Sequence, residues 1–246
     1  MGDTATAADA ETADGAQVGD GPPRVIAVDG SAASGKSTIG RRLAERLRYP
    51  FLDTGVMYRA ITLAALKARL DLHDPEGLTR LARSVRLDVA PAQPGSDGAS
   101  RVFSDGDDVT DALRSPDVEE AVSLVSRVPG VREALVRKQR EIAGRQPIVM
   151  AGRDIGTVVL PDADLKVYLD ASLEERARRR HEEFARLGRD VSAGMVLEDL
   201  RRRDQIDSER EVSPLRPADD ARIIQTDGLT QDQVLERVLD LVLSGR

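Results

Sequence analysis

The chain has no cysteine and no tryptophan, and histidine occurs only twice in its 246 residues. The lack of cysteine excludes a disulfide framework and a thiolate metal site, and it suits the reducing cytoplasm in which we expect this protein. His73 and His181 share no motif, which argues against a histidine metal centre and against a Ser-His-Asp triad.

Long hydrophobic runs and basic tracts are also missing. Nowhere do 18 apolar residues follow one another, so the sequence predicts no membrane-spanning helix. Arginine outnumbers lysine by 32 to 4, but no basic tract is interleaved with aromatic residues, so we expect no nucleic-acid partner. With 40% hydrophobic residues, the chain can supply the core of one large domain or of a domain with an insertion.

Residues 1–23 contain no base and almost no large apolar side chain. Their five acidic residues account for most of the formal net charge of −7. Such a segment cannot offset its ordering entropy by burial, so we predict a disordered acidic tail. It has neither the basic start nor the apolar centre of a signal peptide. The folded domain is expected to comprise residues 24–246.

Beyond the tail, short apolar runs alternate with amphipathic stretches of helical periodicity. Five runs predict buried strands, at residues 25–28, 50–53, 147–151, 164–170 and 221–226. Helical stretches lie between them, and the last opens with Thr230 and Gln233 at the spacing of a capping box. The alternation predicts an α/β fold, a doubly wound parallel five-stranded sheet with helices on both faces.

Residues from about 85 to 126 break this alternation. Two short strand-like pieces flank a turn cluster rich in glycine, proline and serine, and a helical stretch follows. We interpret the region as a small inserted α+β lobe that divides the core into residues 24–84 and 127–246. Within it, DGDD at residues 105–108 lacks the glutamate of a twelve-residue calcium loop and therefore predicts a turn.

The stretch GSAASGKST follows the first predicted strand and begins the first predicted helix. Gly-x-x-x-x-Gly-Lys-Ser in this context is the pattern of a phosphate-binding loop, typical of P-loop NTPases. Small residues let successive backbone N–H groups surround a phosphate chain at the positive end of the helix dipole. The predicted ATP-binding residues are Gly30, Ser31, Ala32, Ala33, Ser34, Gly35, Lys36, Ser37 and Thr38.

Two side chains of this loop carry particular chemistry. Lys36 supplies a compact point charge for the β- and γ-phosphates, and Ser37 offers its hydroxyl to Mg²⁺. The loop leaves ATPases, GTPases and kinases open, although a GTPase is disfavoured because no lysine stands in an Asn-Lys-x-Asp segment. Asp170, at the end of the fourth predicted strand, is an alternative acidic metal ligand.

Several arginines lie where an anionic acceptor would bind. Arg153 and Asp154 directly follow a predicted strand, and ligands of open α/β sheets bind beyond the carboxyl ends of strands. The others are Arg59, Arg132, Arg203 and Arg210, the last two on either side of Asp207. Each arginine alone is more typical of a solvated helix face. Together with a phosphate loop they indicate a phosphorylated acceptor held by guanidinium groups.

In order and spacing, the segments GSAASGKST, LDTGVMYRA, AGRDIGTVVLPDADLKVYLDAS and RRRDQIDSEREVSPLRPA resemble the bacterial cytidylate kinases, a family of nucleoside monophosphate kinases. The resemblance covers nearly everything from Arg24 onward, and AGRDIGTVV is specific to that family. It implies a helical lid at about residues 176–192, besides the core and insert. It also implies ATP-dependent phosphorylation of CMP and dCMP to CDP and dCDP, in pyrimidine nucleotide metabolism.

The resemblance further implies a role for each matching residue. The acceptor phosphate would be held by Arg59, Arg153 and Arg210, cytosine by Thr54, Arg132 and Asp154, and the ribose by Ser123, Arg203 and Asp207. The lid would bring Arg176, Arg179 and Arg180 to ATP, while Lys36, Arg153 and Arg179 would act catalytically on the phosphoryl group. Mg²⁺ would enter with ATP and be bound through Ser37.

The chemistry of the base agrees with this assignment. Cytosine has an exocyclic amino donor beside two acceptors, so a carboxylate and a guanidinium, such as Asp154 and Arg132, complement it. A pocket for one pyrimidine also admits its near-isostere at a cost of about 1 to 3 kcal/mol. We therefore expect CMP and dCMP as the main acceptors and UMP as a weak one.

Two alternatives stay open at this point. A kinase for another small acceptor, such as UMP, another nucleoside monophosphate or shikimate, would keep the loop and change the acceptor pocket. A non-enzymatic ATP-dependent switch would instead bind a partner through the acidic tail. For the kinase we expect a monomer whose partners are its small-molecule substrates, ATP and CMP or dCMP.

Overall fold

The computed structural model describes residues 22–96 and 99–244, so the predicted tail lies outside the described residues except for its last two positions. The strands of the described chain are β1 (Val25–Gly30), β2 (Phe51–Asp53), β3 (Leu87–Ala90), β4 (Arg101–Ser104), β5 (Asp107–Asp108), β6 (Ile148–Gly152), β7 (Leu165–Asp170) and β8 (Arg222–Gln225). Its α-helices are α1 (Lys36–Leu47), α2 (Gly55–Lys67), α3 (Pro75–Ser84), α4 (Pro116–Ser126), α5 (Pro129–Ala143), α6 (Leu173–Arg186), α7 (Ala193–Ser208) and α8 (Gln231–Ser244).

The main sheet has five parallel strands in the order β2-β6-β1-β7-β8. This confirms the predicted fold class, and each predicted strand overlaps an observed one. Antiparallel pairing joins β3, β4 and β5 into a second sheet, within the segment predicted as an insert. Asp105 and Gly106 form the predicted turn between β4 and β5, both with positive φ.

Helices cover both faces of the main sheet, and they bury its central strand on both sides. Ile26 and Val28 of β1 pack in one cluster with Leu43 of α1 and Val238 of α8. Ala27 points to the opposite face, where its cluster includes residues of α2 and α5. All five of these residues are 0% exposed, which explains why the strands read as continuous apolar runs.

One helix was absent from the sequence-based prediction. Helix α3 begins after Asp74, whose side chain accepts a hydrogen bond from the Gly77 N–H at 2.9 Å, and Pro75 occupies its first position. An aspartate before a proline is a helix-start signal, so this local pattern was available in the sequence. Within residues 22–96 and 99–244, no helix combines the length and apolar character needed to cross a membrane.

Candidate active site

The phosphate loop joins the central strand to α1 at the carboxyl edge of the sheet. Gly30 has φ +154°, and a Cβ atom there would lie 2.5 Å from the Leu169 carbonyl oxygen. Ala33 and Gly35 also have positive φ, at 60° and 91°. No side chain from the described residues caps the start of α1. The first N–H groups of the helix are therefore available to an anion.

Lys36 is folded back onto this loop. Its Nζ atom donates a hydrogen bond to the Ser31 carbonyl oxygen at 2.9 Å, and the residue is 6% exposed. Burial, reinforced by the nearby charge of Arg153, lowers the pKa of Lys36 to about 7. The ammonium group is thus held at the loop without a close carboxylate partner among the described residues, and its charge is poorly compensated.

A buried carboxylate, Asp29, lies beneath the loop, and the sequence reasoning did not assign it a role. It accepts hydrogen bonds from the N–H groups of Ile155 at 2.8 Å and Gly156 at 2.7 Å. Burial raises the pKa of Asp29 to about 6, although these two hydrogen bonds act in the opposite direction. Asp29 therefore fastens the loop's strand to the chain segment that follows Arg153.

The hydroxyl of Ser37 donates to Asp53 Oδ2 at 2.5 Å, and Asp53 Oδ1 accepts from the Gly55 N–H at 3.0 Å. Asp53 ends β2, so it was another functional candidate that the sequence reasoning missed. Its position at the carboxyl end of a strand was the available signal. A hydroxyl and a carboxylate are hard oxygen donors of the kind that Mg²⁺ prefers, so this pair fits the metal.

A cavity of about 800 Å³ lies over the phosphate loop. Of the predicted ATP-binding residues, it is lined by Ala33, Ser34, Gly35, Lys36, Ser37, Thr38, Arg179 and Arg180. Another part of its wall is formed by residues that the sequence reasoning did not assign to ATP, namely Thr226, Leu229, Thr230, Gln231 and Val234. Gly30, Ser31 and Ala32 are not among the lining residues.

The predicted lid arginines differ in their surroundings. Arg176 does not line the cavity, because its buried guanidinium donates to the Ala32 carbonyl oxygen at 3.2 Å and to both carboxylate oxygens of Asp204, at 3.0 and 2.6 Å. Arg179 does line it, and bonds the Thr226 carbonyl oxygen at 2.6 Å. Arg180 forms an ion pair with Glu119 of α4.

A second cavity, of about 110 Å³, lies beyond the carboxyl end of β6. It is lined by all nine residues predicted to bind the acceptor, which are Thr54, Arg59, Ser123, Arg132, Arg153, Asp154, Arg203, Asp207 and Arg210. A third cavity, of about 790 Å³, shares Ser37 and Thr38 with the first and Asp53 and Arg59 with the second. The three cavities form one cleft from the phosphate loop to the arginine-rich pocket.

Arg132 and Asp154 form a buried ion pair at the inner end of the second cavity. The Arg132 guanidinium also donates to the Ser126 carbonyl oxygen at 3.1 Å and lies 5.3 Å from the centre of the Tyr58 ring. Burial acts to lower the pKa of Arg132, but Tyr58 and Asp154 outweigh it and the pKa is raised. The pair presents a carboxylate beside a permanently charged guanidinium.

Arg153 spans the two ends of the cleft. Its Nε atom donates to Asp207 Oδ2 at 2.7 Å, and one terminal nitrogen lies 3.5 Å from the Gly30 carbonyl oxygen. Burial alone would raise the pKa of Asp207, but the positive charges of Arg153 and Arg210 lower it. One terminal nitrogen of Arg210 is buried without a hydrogen-bond partner among the described residues, and so retains an unused donor.

Positive charge exceeds negative charge in the second cavity. Its lining includes five arginines against three aspartates. Burial and the neighbouring Arg203 lower the pKa of Arg59 to about 10, and burial also lowers the pKa of Arg203. Mutual repulsion among buried guanidinium groups is relieved when an anion binds between them. The pocket is therefore suited to a phosphate ester.

Asp170, considered above as a metal ligand, lines none of these three cavities. Its Oδ2 atom accepts a hydrogen bond from Gln225 Nε2 at 2.7 Å. This contact binds the end of β7 to β8. Among the described residues, no cluster of three or more His, Cys, Asp or Glu side chains could hold a metal ion by itself.

A phosphate loop after the central strand of a parallel sheet, joined by one cleft to an arginine-lined acceptor pocket, defines a P-loop phosphotransferase. The family model described as cytidylate kinase matches residues 26–244. The chain therefore belongs to the cytidylate kinase family, as its sequence pattern predicted. Phosphotransferases with a phosphate loop use a nucleoside triphosphate with a divalent metal ion.

Individual relatives agree with the family model. The chain is 48% identical to the cytidylate kinase of Geobacillus kaustophilus, over 88% of this chain and 95% of that protein. It is 48% identical to the cytidylate kinase of Pelotomaculum thermopropionicum, over 90% and 96%. The identity with the cytidylate kinase of Bacillus subtilis is 45%, over 88% and 95%.

Proposed function

We propose that the protein transfers the terminal phosphoryl group of ATP to CMP and dCMP, giving ADP and CDP or dCDP. The observation that carries this proposal is the continuous cleft, in which Arg153 contacts the carbonyl oxygen of Gly30 on the loop and Asp207 in the acceptor pocket. Phosphoryl transfer depends mainly on positioning and electrostatic stabilisation, so a cleft that aligns the two nucleotides supplies most of what it needs.

At the acceptor end, the phosphate would be bound by Arg59, Arg153 and Arg210. The unpartnered nitrogen of Arg210 and the poorly compensated charge of Arg59 support this assignment. Ser123, Arg203 and Asp207 would contact the sugar. Because an acceptor phosphate carries about two negative charges, its binding would relieve the repulsion among the guanidinium groups.

The base would be recognised by Thr54, Arg132 and Asp154. The Asp154 carboxylate accepts from the exocyclic amino group of cytosine, and the guanidinium donates to the ring acceptors. Uracil presents an acceptor where cytosine has that donor, so UMP would leave the carboxylate without a partner. We therefore propose a preference for CMP and dCMP over UMP of about tenfold or more.

At the donor end, the triphosphate would lie on the loop from Gly30 to Thr38, with Lys36 exchanging the Ser31 carbonyl oxygen for phosphate oxygens. Arg179 and Arg180 would approach from the lid and exclude water. The adenine would lie against the wall formed by Thr226, Leu229, Thr230, Gln231 and Val234. Arg176, bonded to Ala32 and Asp204, would support the loop from below.

We propose Mg²⁺ as the divalent ion, held by Ser37 with Asp53 beside it. When bound, the ion would neutralise part of the negative charge of the phosphate groups. The side chains of the protein orient the phosphates and supply the remaining positive charge. No residue is assigned as a general base, because the loose transition state does not require one.

We also propose a cytoplasmic monomer without nucleic-acid or membrane partners. Light scattering at micromolar concentration tests the monomer. Deletion of residues 1–22 tests the switch alternative, because a kinase retains CMP-dependent ADP release whereas a module acting through its tail loses its activity.

The substrate assignment is tested by a coupled ADP-release assay with CMP, dCMP, UMP, AMP and GMP. We expect the highest kcat/KM for CMP and dCMP, and a fall in kcat of about 10³-fold or more in Lys36→Met. Lys67→Met is the matched control, since Lys67 is exposed at the end of α2. Saturation by UMP at a much lower concentration than CMP, or wild-type turnover by Lys36→Met, contradicts the proposal.

A further inference from the structure

The Glu119 carboxylate lies between two arginines of the segment predicted as the lid. One of its oxygens pairs with Arg180, and the other accepts from Arg189 at 3.1 Å. The Glu119 backbone carbonyl oxygen accepts a hydrogen bond from a third arginine, Arg203, at 2.9 Å. The side chain is only 14% exposed, so these contacts are shielded from solvent. Glu119 thus binds α6, the loop after it and α7 to one point on α4.

Glu119 also lies close to residues that line the acceptor cavity. It lies one helical turn before Ser123, which lines the acceptor cavity, and Arg203 lines the same cavity. On its other side, Glu119 faces the connecting cavity together with Ser37 and Arg180. The carboxylate is therefore rigidly linked to the acceptor pocket and directed toward the route of the phosphate chain.

Arg180 is neutralised in this arrangement. Besides Glu119, its guanidinium pairs with Glu183 at 3.0 Å and lies 4.7 Å from the centre of the Phe184 ring. An arginine bound to two carboxylates adds little positive charge for a triphosphate. A largely buried glutamate near the phosphate route would itself repel that triphosphate unless at least one arginine, such as Arg189, remains paired with it. The nitrogen of Arg180 that pairs with Glu119 could instead contact ATP, but it cannot make both contacts at once.

We propose that Glu119 is a positioning residue that holds Arg180 and Arg189 on α4 and makes the release of Arg180 to the donor phosphates depend on acceptor binding. This inference rests on the proposed function. Acceptor binding between Ser123, Arg203 and the arginines of the pocket changes the position of α4, which weakens the pair of Glu119 with Arg180. The free guanidinium then turns to ATP. Donor and acceptor are thereby coupled through one carboxylate.

The test measures the dissociation constant of a non-hydrolysable Mg·ATP analogue with and without saturating CMP, using the full chain. For the wild type we expect CMP to tighten analogue binding by about fivefold or more. In Glu119→Gln we expect tight analogue binding without CMP and less than about a twofold further effect of CMP. Glu120→Gln is the matched control, because Glu120 is the exposed neighbour on α4 and makes no ion pair within the described chain. This control should behave as the wild type.

A double-mutant cycle separates this role from a purely structural one. In an Arg180→Gln background, Glu119→Gln should not change the coupling further, because the partner it restrains is gone. Arg189→Gln leaves Glu119 itself unaltered but removes its second partner, so Arg180 should be held more strongly. In this variant we expect weak analogue binding without CMP and a smaller effect of CMP than in the wild type, and the variant serves if Glu119→Gln fails to fold. Acceptor-free ADP release should rise in Glu119→Gln by about threefold to tenfold.

Two results overturn the inference while leaving the proposed function intact. One is wild-type coupling in Glu119→Gln. The other is weaker analogue binding without CMP in this variant, which would mean that Glu119 orients Arg180 productively. If the wild-type chain releases no ADP in response to CMP, the proposed function and this inference both fail.

Discussion

The Nε atom of Arg153 lies 2.7 Å from Asp207 Oδ2, and the other side of the same guanidinium reaches the carbonyl oxygen of Gly30 at 3.5 Å. Arg153 is thus fixed between the acceptor pocket and the phosphate loop. Burial disfavours its charge, yet the carboxylate of Asp207 outweighs that effect and raises the pKa of Arg153. A guanidinium held this way keeps its remaining donors for a phosphoryl group that passes between the two ends of the cleft.

Arg153→Lys is therefore expected to lower kcat/KM for CMP by about 100-fold or more. A lysine carries its three N–H donors on one nitrogen atom, so it cannot reproduce the separate positions from which the guanidinium contacts Asp207 and a phosphate. Steady-state kinetics with CMP checks this expectation. Arg202→Lys is the control, since Arg202 is exposed on α7 and pairs only with Asp199 among the described residues. Equal kcat/KM values in the two variants would exclude a bridging role for Arg153.

The lowered pKa of Lys36 predicts that the protein takes up a proton when it binds nucleotide. In the free protein its pKa is about 7, and phosphate oxygens around the ammonium group raise it. At pH 8, binding of Mg·ATP should therefore take up nearly one proton, and affinity should fall as the pH rises above 7. Isothermal titration calorimetry in buffers of different ionisation enthalpy measures the uptake. Lys36→Met should abolish it, and uptake that persists in this variant would assign the proton to another group.

The lowered pKa of Lys36 also predicts that the stability of the folded protein depends on pH. The unfolded chain keeps the Lys36 proton up to the ordinary pKa of 10.5, whereas the folded chain loses it near 7. Between these values the unfolded state binds more protons, so this group makes the free energy of unfolding rise with pH. Below pH 7 the lysine is charged in both states and its contribution no longer changes. Urea unfolding of the wild type and of Lys36→Met at pH 7 and pH 9 isolates the contribution.

Local patterns were sufficient to predict most of the fold. The apolar runs and the phosphate loop are patterns that extend over only a few residues. Each of them forms the expected strand or turn. The capping box at α8 also forms, with the Thr230 N–H 2.9 Å from Gln233 Oε1 and the Gln233 N–H 3.2 Å from Thr230 Oγ1. Such elements depend on short-range chemistry that a single segment contains.

The site features that escaped prediction depend on contacts between distant segments. Asp29 is recognisable only from its hydrogen bond to Ile155, 126 residues further along the chain. Arg176 was expected to reach ATP, but its partner Asp204 lies 28 residues away on the next helix and draws it beneath the loop. The sequence identifies the arginines that a lid could use. Tertiary packing decides which of them are held by a carboxylate away from the nucleotide.

Asp53→Asn is expected to raise the Mg²⁺ concentration required for half-maximal activity by about tenfold or more. The carboxylate accepts from the Ser37 hydroxyl at 2.5 Å and would orient its oxygen toward the ion. A neutral amide removes the negative charge with little change in shape. Magnesium titrations at fixed ATP and CMP provide the measurement. Asp162→Asn is the control because Asp162 is exposed and lies outside the cleft, and an unchanged magnesium requirement in Asp53→Asn would count against a metal site there.

Asp154→Asn tests base recognition and has two separable effects. The substitution leaves Arg132 buried without its ion-pair partner, which we expect to lower the free energy of unfolding by about 3 kcal/mol. A loss of folded protein lowers the rates with all acceptors equally, so it cancels in the ratio of kcat/KM for CMP to that for UMP. Loss of the acceptor for the cytosine amino group does not cancel, because an amide can also donate to the uracil oxygen.

The ratio of kcat/KM for CMP to that for UMP should therefore fall by about tenfold or more in Asp154→Asn, measured alongside thermal unfolding. Thr54→Val is a useful second variant, since the Thr54 hydroxyl bonds the Ala151 carbonyl oxygen at 3.0 Å and lies in the same cavity without a charge. It should change the ratio less than Asp154→Asn does. If the ratio stays at the wild-type value while stability falls, Asp154 supports Arg132 and the discrimination between the bases must come from the guanidinium alone.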